Sequence, residues 1–158
     1  MITIDPPPPA EAAGSSLLYS VEFYRTVQQH LAPGGILQQF FPARGNEAAL
    51  VGAAFDSLQQ EFAHVKVMRS LDDYGLHFLA SQRPFDALTV DRALERMPAA
   101  ATQDLMEWFP GRTPRDVWES MLKREVDPGT LVPGHAHPVI TDDRPFNEYF
   151  LLRRLFAW

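Results

Sequence analysis

An aspartate followed at once by four prolines, Asp5-Pro6-Pro7-Pro8-Pro9, is the group in this chain best placed to do chemistry. It stands directly behind the apolar run Met1-Ile2-Thr3-Ile4. A buried strand that ends in a carboxylate and then a stiff, donor-poor turn puts an acid at the mouth of a ligand crevice. Such a carboxylate can accept a proton from an attacking group or favour a developing positive charge. The plainer alternative is a strand-end acid that caps a turn. Glu11, in the adjoining loop, offers a second negative charge, or is a solvated loop residue. Tyr19 could wall the crevice, since aromatic faces attract ammonium groups, or simply pack at the start of a helix.

Other polar groups fall in apolar settings. Gln38 and Gln39 interrupt a strand-like run. One of them should face a crevice or an edge, while the other bonds to loop backbone. Near the end, Asp142-Asp143-Arg144-Pro145 precedes Asn147-Glu148-Tyr149. Asp142 or Asp143 could line the rim of an amine site. Equally, Asp143 could cap the last helix and Arg144 pair with a carboxylate. His135-Ala136-His137 has two ligand types at alternate positions, but the flanking prolines and glycine indicate a loop. No third ligand is close in sequence, with Asp142 the nearest, so no metal is expected.

The elements that must hold these groups follow from periodicity and stop signals. Residues 2–5 read as a short buried strand and 6–16 as an irregular loop. A helix is expected over 17–31, capped by Ser15 or Ser16 and stopped by Pro33-Gly34-Gly35. A strand at 36–41, a helix at 46–62 and strands at 64–68 and 75–80 come next. The last two are close enough, around Asp72-Asp73, to pair antiparallel. Alternation of this kind predicts an α/β sheet with helical crossovers. After Pro84 the character becomes helical, with short helices at 86–96, 101–109 and 114–124. Residues 128–138 are turn-rich, and 147–156 form an aromatic, basic tail. Core packing is the default for the many aromatic residues of this half. The division expected is 1–84 for the sheet and 85–158 for a helical extension of the same domain.

The totals narrow the function. A 158-residue chain that is 46% hydrophobic has the size and composition of one globular domain. Its formal net charge of -6 disfavours nucleic acid as a partner. The absence of cysteine excludes disulfides, thiolate metal sites and a cysteine nucleophile. No apolar run reaches the ~20 residues of a membrane span, and no basic leader opens the chain, so a cytoplasmic location is expected.

ITIDPPPP, followed by AAGSSLLYSVEFY, LAPGGILQQFFP and the closing TDDRPFNEYFLLR, resembles the spermidine synthase-like group of Rossmann-fold transferases. It is especially similar to bacterial members that are sometimes fused to membrane segments. The resemblance covers residues 1 to about 80 and 139 to 154, and rests on motif order and spacing. It implies the C-terminal half of a class I methyltransferase-type, Rossmann-like sheet: parallel strands plus an antiparallel edge hairpin, with a helical C-terminal appendage. Residues 2–5 and 36–41 would be the fourth and fifth strands of seven, and 64–68 and 75–80 the last two. The glycine-rich donor loop and the acid that holds the adenosyl ribose cannot be assigned, so the chain is expected to be a fragment and inactive alone.

The resemblance implies aminopropyl transfer from decarboxylated S-adenosylmethionine to an amine or polyamine. Asp5 would face the nucleophile, and Pro6 and Pro7 would border the donor. Glu11, Tyr19, Gln39, Asp142 and Asp143 would surround the acceptor. The sequence departs from the family at the turn, where aminopropyltransferases carry Asp-Ser-Ser-Asp-Pro. Pro8 replaces the second acid, which weakens the assignment of putrescine. A second reading is a methyltransferase that uses S-adenosylmethionine on a small amine. Asp-Pro-Pro followed by an aromatic residue marks methylation of base amino groups, but the aromatic place is Pro8. A third reading is a non-catalytic interaction module. The partners expected are a homodimer or a missing N-terminal half, with a membrane reached only through a fused parent.

Overall fold

The computed structural model describes residues 1–5, 9–43, 48–71, 73–131 and 137–156. The chain divides into two compact units, one built from Met1–Pro84 and Val126–Trp158, the other from Phe85–Glu125. The expected break after Pro84 therefore falls at a unit boundary, but the chain returns to the first unit at Val126.

The first unit is α/β. Its strands are β1 (Ile2–Ile4), β2 (Leu37–Phe41), β3 (His64–Arg69) and β4 (Leu76–Ser81). A two-residue β5 (Glu125–Val126) completes a mixed five-stranded sheet in the order β1-β2-β4-β3-β5. β1 pairs parallel with β2, with Ile4 opposite Gln39. β4 runs antiparallel to both β2 and β3, so β1, β2 and β3 share one direction and β4 is inserted in reverse. The expected antiparallel pairing of the last two long strands is present.

Strand patterning decides which face is covered. Leu37, Gln39 and Phe41 of β2 and Leu76, Phe78 and Ala80 of β4 are buried, and the residues between them are half-buried. The covering layer is α1 (Val21–His30) and α2 (Ala48–Glu61), which pack on each other. Leu50, Ala53, Ala54, Phe55 and Leu58 of α2 join Tyr24 and Val27 of α1 in the core.

The helix expected over 17–31 is broken. A 3-10 turn spans Ser15–Leu18, and α1 begins only at Val21. Ser20 is the reason: its backbone is extended, and its hydroxyl accepts the Phe23 N–H as an N-cap. Apolar spacing runs on across Tyr19 and Ser20, which hides the break from periodicity. At the hairpin between β3 and β4, Asp73 has a φ of 59°. Gly75 follows because a Cβ there would lie 2.5 Å from the Phe40 ring and 2.6 Å from the Phe41 carbonyl oxygen.

The second unit holds α3 (Val90–Arg96), α4 (Ala99–Glu107) and α5 (Pro114–Leu122). Thr113 and Asp116 form a capping box at the start of α5, and Arg115 bonds to Asp91 of α3. Back in the first unit, α6 (Pro128–Leu131) occupies part of the stretch expected to be turns, and α7 (Phe150–Phe156) part of the aromatic tail. Among the described residues, no helix is long and apolar enough to cross a membrane.

Candidate functional site

Asp5 directly follows the last residue of β1 and is exposed at the carboxyl end of the parallel pair. Pro6, Pro7 and Pro8 lie outside the described residues. From Pro9 the chain folds into a compact loop. Ala12 N–H bonds to the Pro9 carbonyl, and Ser15 Oγ donates to the carbonyls of Ala10 (2.6 Å) and Ala12 (2.7 Å).

Tyr19 closes the inner side of this loop. Its side chain is fully buried, with the ring edge against Phe41 at a centroid distance of 5.3 Å. Among the described residues its hydroxyl has no hydrogen-bond partner. Burial raises its pKa well above the usual value, and the negative charges of Glu11 and Asp5 raise it further. The charges of Asp5 and Glu11 thus both act on one buried hydroxyl that has no hydrogen-bond partner among the described residues.

Gln39 is buried with both ends of its amide engaged. Its Oε1 accepts from the Tyr24 hydroxyl at 2.8 Å and its Nε2 donates to the Leu18 carbonyl at 2.8 Å. It is the glutamine that bonds to loop backbone, and it pins α1 and the 3-10 turn to the sheet. Gln38 faces the other side and bonds to His77 Nδ1 at 2.9 Å.

Asp142 and Asp143 are exposed in a tight turn closed by hydrogen bonds between Thr141 and Arg144. Asp142 N–H bonds to Glu22 Oε2 on the first turn of α1. Asp143 accepts from Thr141 Oγ1 at 2.6 Å, which holds its carboxyl below the usual range, with a smaller contribution from Arg144. Asp143 does not cap the last helix, because α7 starts only at Phe150. Among the described residues, neither aspartate bonds to Asp5, Glu11 or Tyr19.

The closing motif reaches the Asp5 loop through other residues. Asn147 is fully buried, and its Nδ2 donates to the Ala10 carbonyl at 2.6 Å and to Ser15 Oγ at 2.8 Å. Glu148 accepts from Ser16 N–H and Oγ, and Tyr149 N–H bonds to the Glu11 carbonyl. A proline-rich loop lacks N–H groups to satisfy itself, so its carbonyls need outside donors. A buried-capable amide between Phe146 and Phe150 was the available sequence signal.

The segment leading to this clamp is tied down as well. His137 N–H bonds to Asp56 Oδ2, and Ile140 N–H bonds to Ser57 Oγ at 2.7 Å. The His137 ring packs so closely on α2 that a Cβ at Gly52 would lie 2.5 Å from it. His137 is therefore a packing residue of this strap, while His135 lies outside the described residues. Among the described residues, no group of three or more His, Asp or Glu could hold a metal ion.

No protein-family model matches the chain, and no curated protein matches it.

Proposed function

We propose that this chain carries the acceptor side of a spermidine synthase-like transferase site, with Asp5 as the base toward an amine. The observation that carries the reading is the place of Asp5, exposed directly after β1 at the carboxyl end of the parallel pair. Strand order supports it. The resemblance implies parallel strands plus an antiparallel edge hairpin, and a parallel β1–β2 pair and an antiparallel β3–β4 pair are present, with β4 lying between β2 and β3.

In the proposed reaction an ammonium group donates a hydrogen bond to the exposed carboxylate of Asp5, and Glu11 adds to the negative field. Asp5 takes one proton, which frees the nitrogen lone pair. The nitrogen then attacks the carbon beside the donor's sulfonium. The carbon–sulfur bond breaks, its electron pair stays on sulfur, and a neutral thioether leaves. General-base help of this kind is worth roughly 10²–10⁴-fold. Decarboxylated S-adenosylmethionine would give aminopropyl transfer. S-adenosylmethionine would give methylation of a small amine, the second reading. Gln39, held on both sides, acts by positioning the wall that carries Tyr19.

The test is titration of the chain with putrescine and spermidine, followed by NMR of residues 9–20. Saturable shifts that weaken in Asp5→Asn and in Glu11→Gln are expected. Unchanged spectra, or equal binding by both variants, refute the acceptor site. Mass analysis of products with each donor separates the two transfers.

A further inference from the structure

β1 lies at one end of the sheet order, and among the described residues β2 is its one strand neighbour. Ile2 N–H bonds to the Ile36 carbonyl at 3.0 Å, on the β2 side. Alternate residues of a strand turn their backbone groups to the same side, so Ile2 and Ile4 face β2 while Thr3 turns its N–H and carbonyl outward. Thr3 is exposed, whereas Ile2 and Ile4 are partly buried against the core.

An open edge is a template for pairing with another chain, and folded proteins blunt such edges with charge, proline or very short strands. The opposite edge of this sheet is the two-residue β5, with Glu125 exposed on it. β1 carries no charge and no proline, and its Ile-Thr-Ile sequence is β-branched throughout, the type that suits a strand.

This edge is complementary to itself. Two copies of β1 set antiparallel about a two-fold axis at Thr3 place each Thr3 N–H on the other copy's Thr3 carbonyl. Ile2 of one copy then stands opposite Ile4 of the other on the core side, so the apolar layer continues across the seam. A register shifted toward the prolines loses donors and draws the two Asp5 carboxylates together. The register centred on Thr3 keeps those carboxylates at opposite ends. Self-matching hydrogen bonds, with no like charges opposed along the seam, select a second copy as the occupant.

We propose that two copies of this chain join through β1 into one continuous sheet, an isologous dimer with Thr3 at its centre. The pairing is independent of the amine site.

The experiment is sedimentation velocity of the whole chain over a concentration series, where a reversible monomer–dimer equilibrium is expected. Thr3→Pro removes only an outward N–H, a change an edge strand tolerates. Circular dichroism should therefore stay unchanged while dimerisation weakens by about tenfold or more, the scale of hydrogen bonds lost on both sides of the axis. Thr3→Glu and Thr3→Lys each oppose like charges across the axis and should weaken the dimer by up to about fivefold, whereas an equimolar mixture of the two should pair more tightly than either alone. That exchange decides the matter should Thr3→Pro fail to fold. A chain that stays monomeric at every concentration, a dimer equally tight in Thr3→Pro, a mixture no tighter than its components, or species that grow beyond the dimer overturn the proposal.

Discussion

Replacing Asn147 by aspartate tests how the loop behind Asp5 is held. The exchange is nearly isosteric, so packing is preserved and only donor capacity and charge change. Asn147 Nδ2 donates two hydrogen bonds, at 2.6 and 2.8 Å, inside a fully buried site. Losing them costs about 1 kcal/mol each, and a buried carboxylate facing a carbonyl oxygen adds a comparable amount, for a total of about 3 kcal/mol at pH 7. The new carboxyl is favoured as the neutral acid in the folded state, so its folded pKa lies above the unfolded value of about 3.9. Below the unfolded value it is protonated in both states and donates again. Stability is then lost as pH rises through the folded value. Urea unfolding by circular dichroism at pH 7 and at pH 4 reads this directly. With a slope of about 2 kcal/mol per molar, the midpoint should fall by roughly 1.5 M at pH 7. The gap should close toward acid, whereas Asn147→Ala should show a gap of about 2 kcal/mol that does not depend on pH. Faster amide exchange is expected over residues 10–16 and not in β3 or β4. A midpoint equal to the wild type at pH 7, or a gap that stays constant with pH, refutes the assigned donor role.

Gly52→Val should destabilise the fold by about 1–3 kcal/mol through its clash with His137, and His137→Ala should recover part of that loss in a double-mutant cycle. Gln39→Leu strands the Tyr24 hydroxyl and the Leu18 carbonyl, at a cost of roughly 2–4 kcal/mol in thermal or urea unfolding; adding Tyr24→Phe should return some of it. Tyr19 and Tyr24 both have pKa values raised chiefly by burial. Their protonated form is favoured by folding, so this stability is complete below pH 10 and is lost as pH climbs through the folded values. Alkaline titration of phenolate absorbance should therefore show Tyr19 and Tyr24 ionising only with unfolding, and Tyr19→Phe should remove one of those two late steps.

Apolar runs bounded by proline and glycine made β1 to β4 readable, and short spacing made the hairpin pairing readable. The break at Ser20 was not, because Leu17, Leu18 and Val21 keep helical spacing across a residue whose backbone is extended. β5 was missed since two residues show no periodicity. Asp5, Glu11 and Tyr19 were each visible as types, and the effect of the two charges on the buried hydroxyl depends on a loop that folds back after Pro9. Asp142 and Asp143 drew attention by charge, yet they are exposed and bonded within their own turn and to Glu22. Asn147 does the holding, and its partners are too far along the chain for any local pattern to reveal them.

That distance bears on how the molecule is made. Asn147 meets Ala10 across 137 positions and Ser15 across 132. A ribosome releases the keeper of the proline tract more than a hundred residues after the tract itself. β2, β3 and β4 emerge in between, so the sheet can form while the carbonyls of Ala10 and Glu11 still face water. The extra loop-closure entropy for so wide a span is modest, because it grows only with the logarithm of length. The acid is therefore born well before the amide that holds the loop behind it.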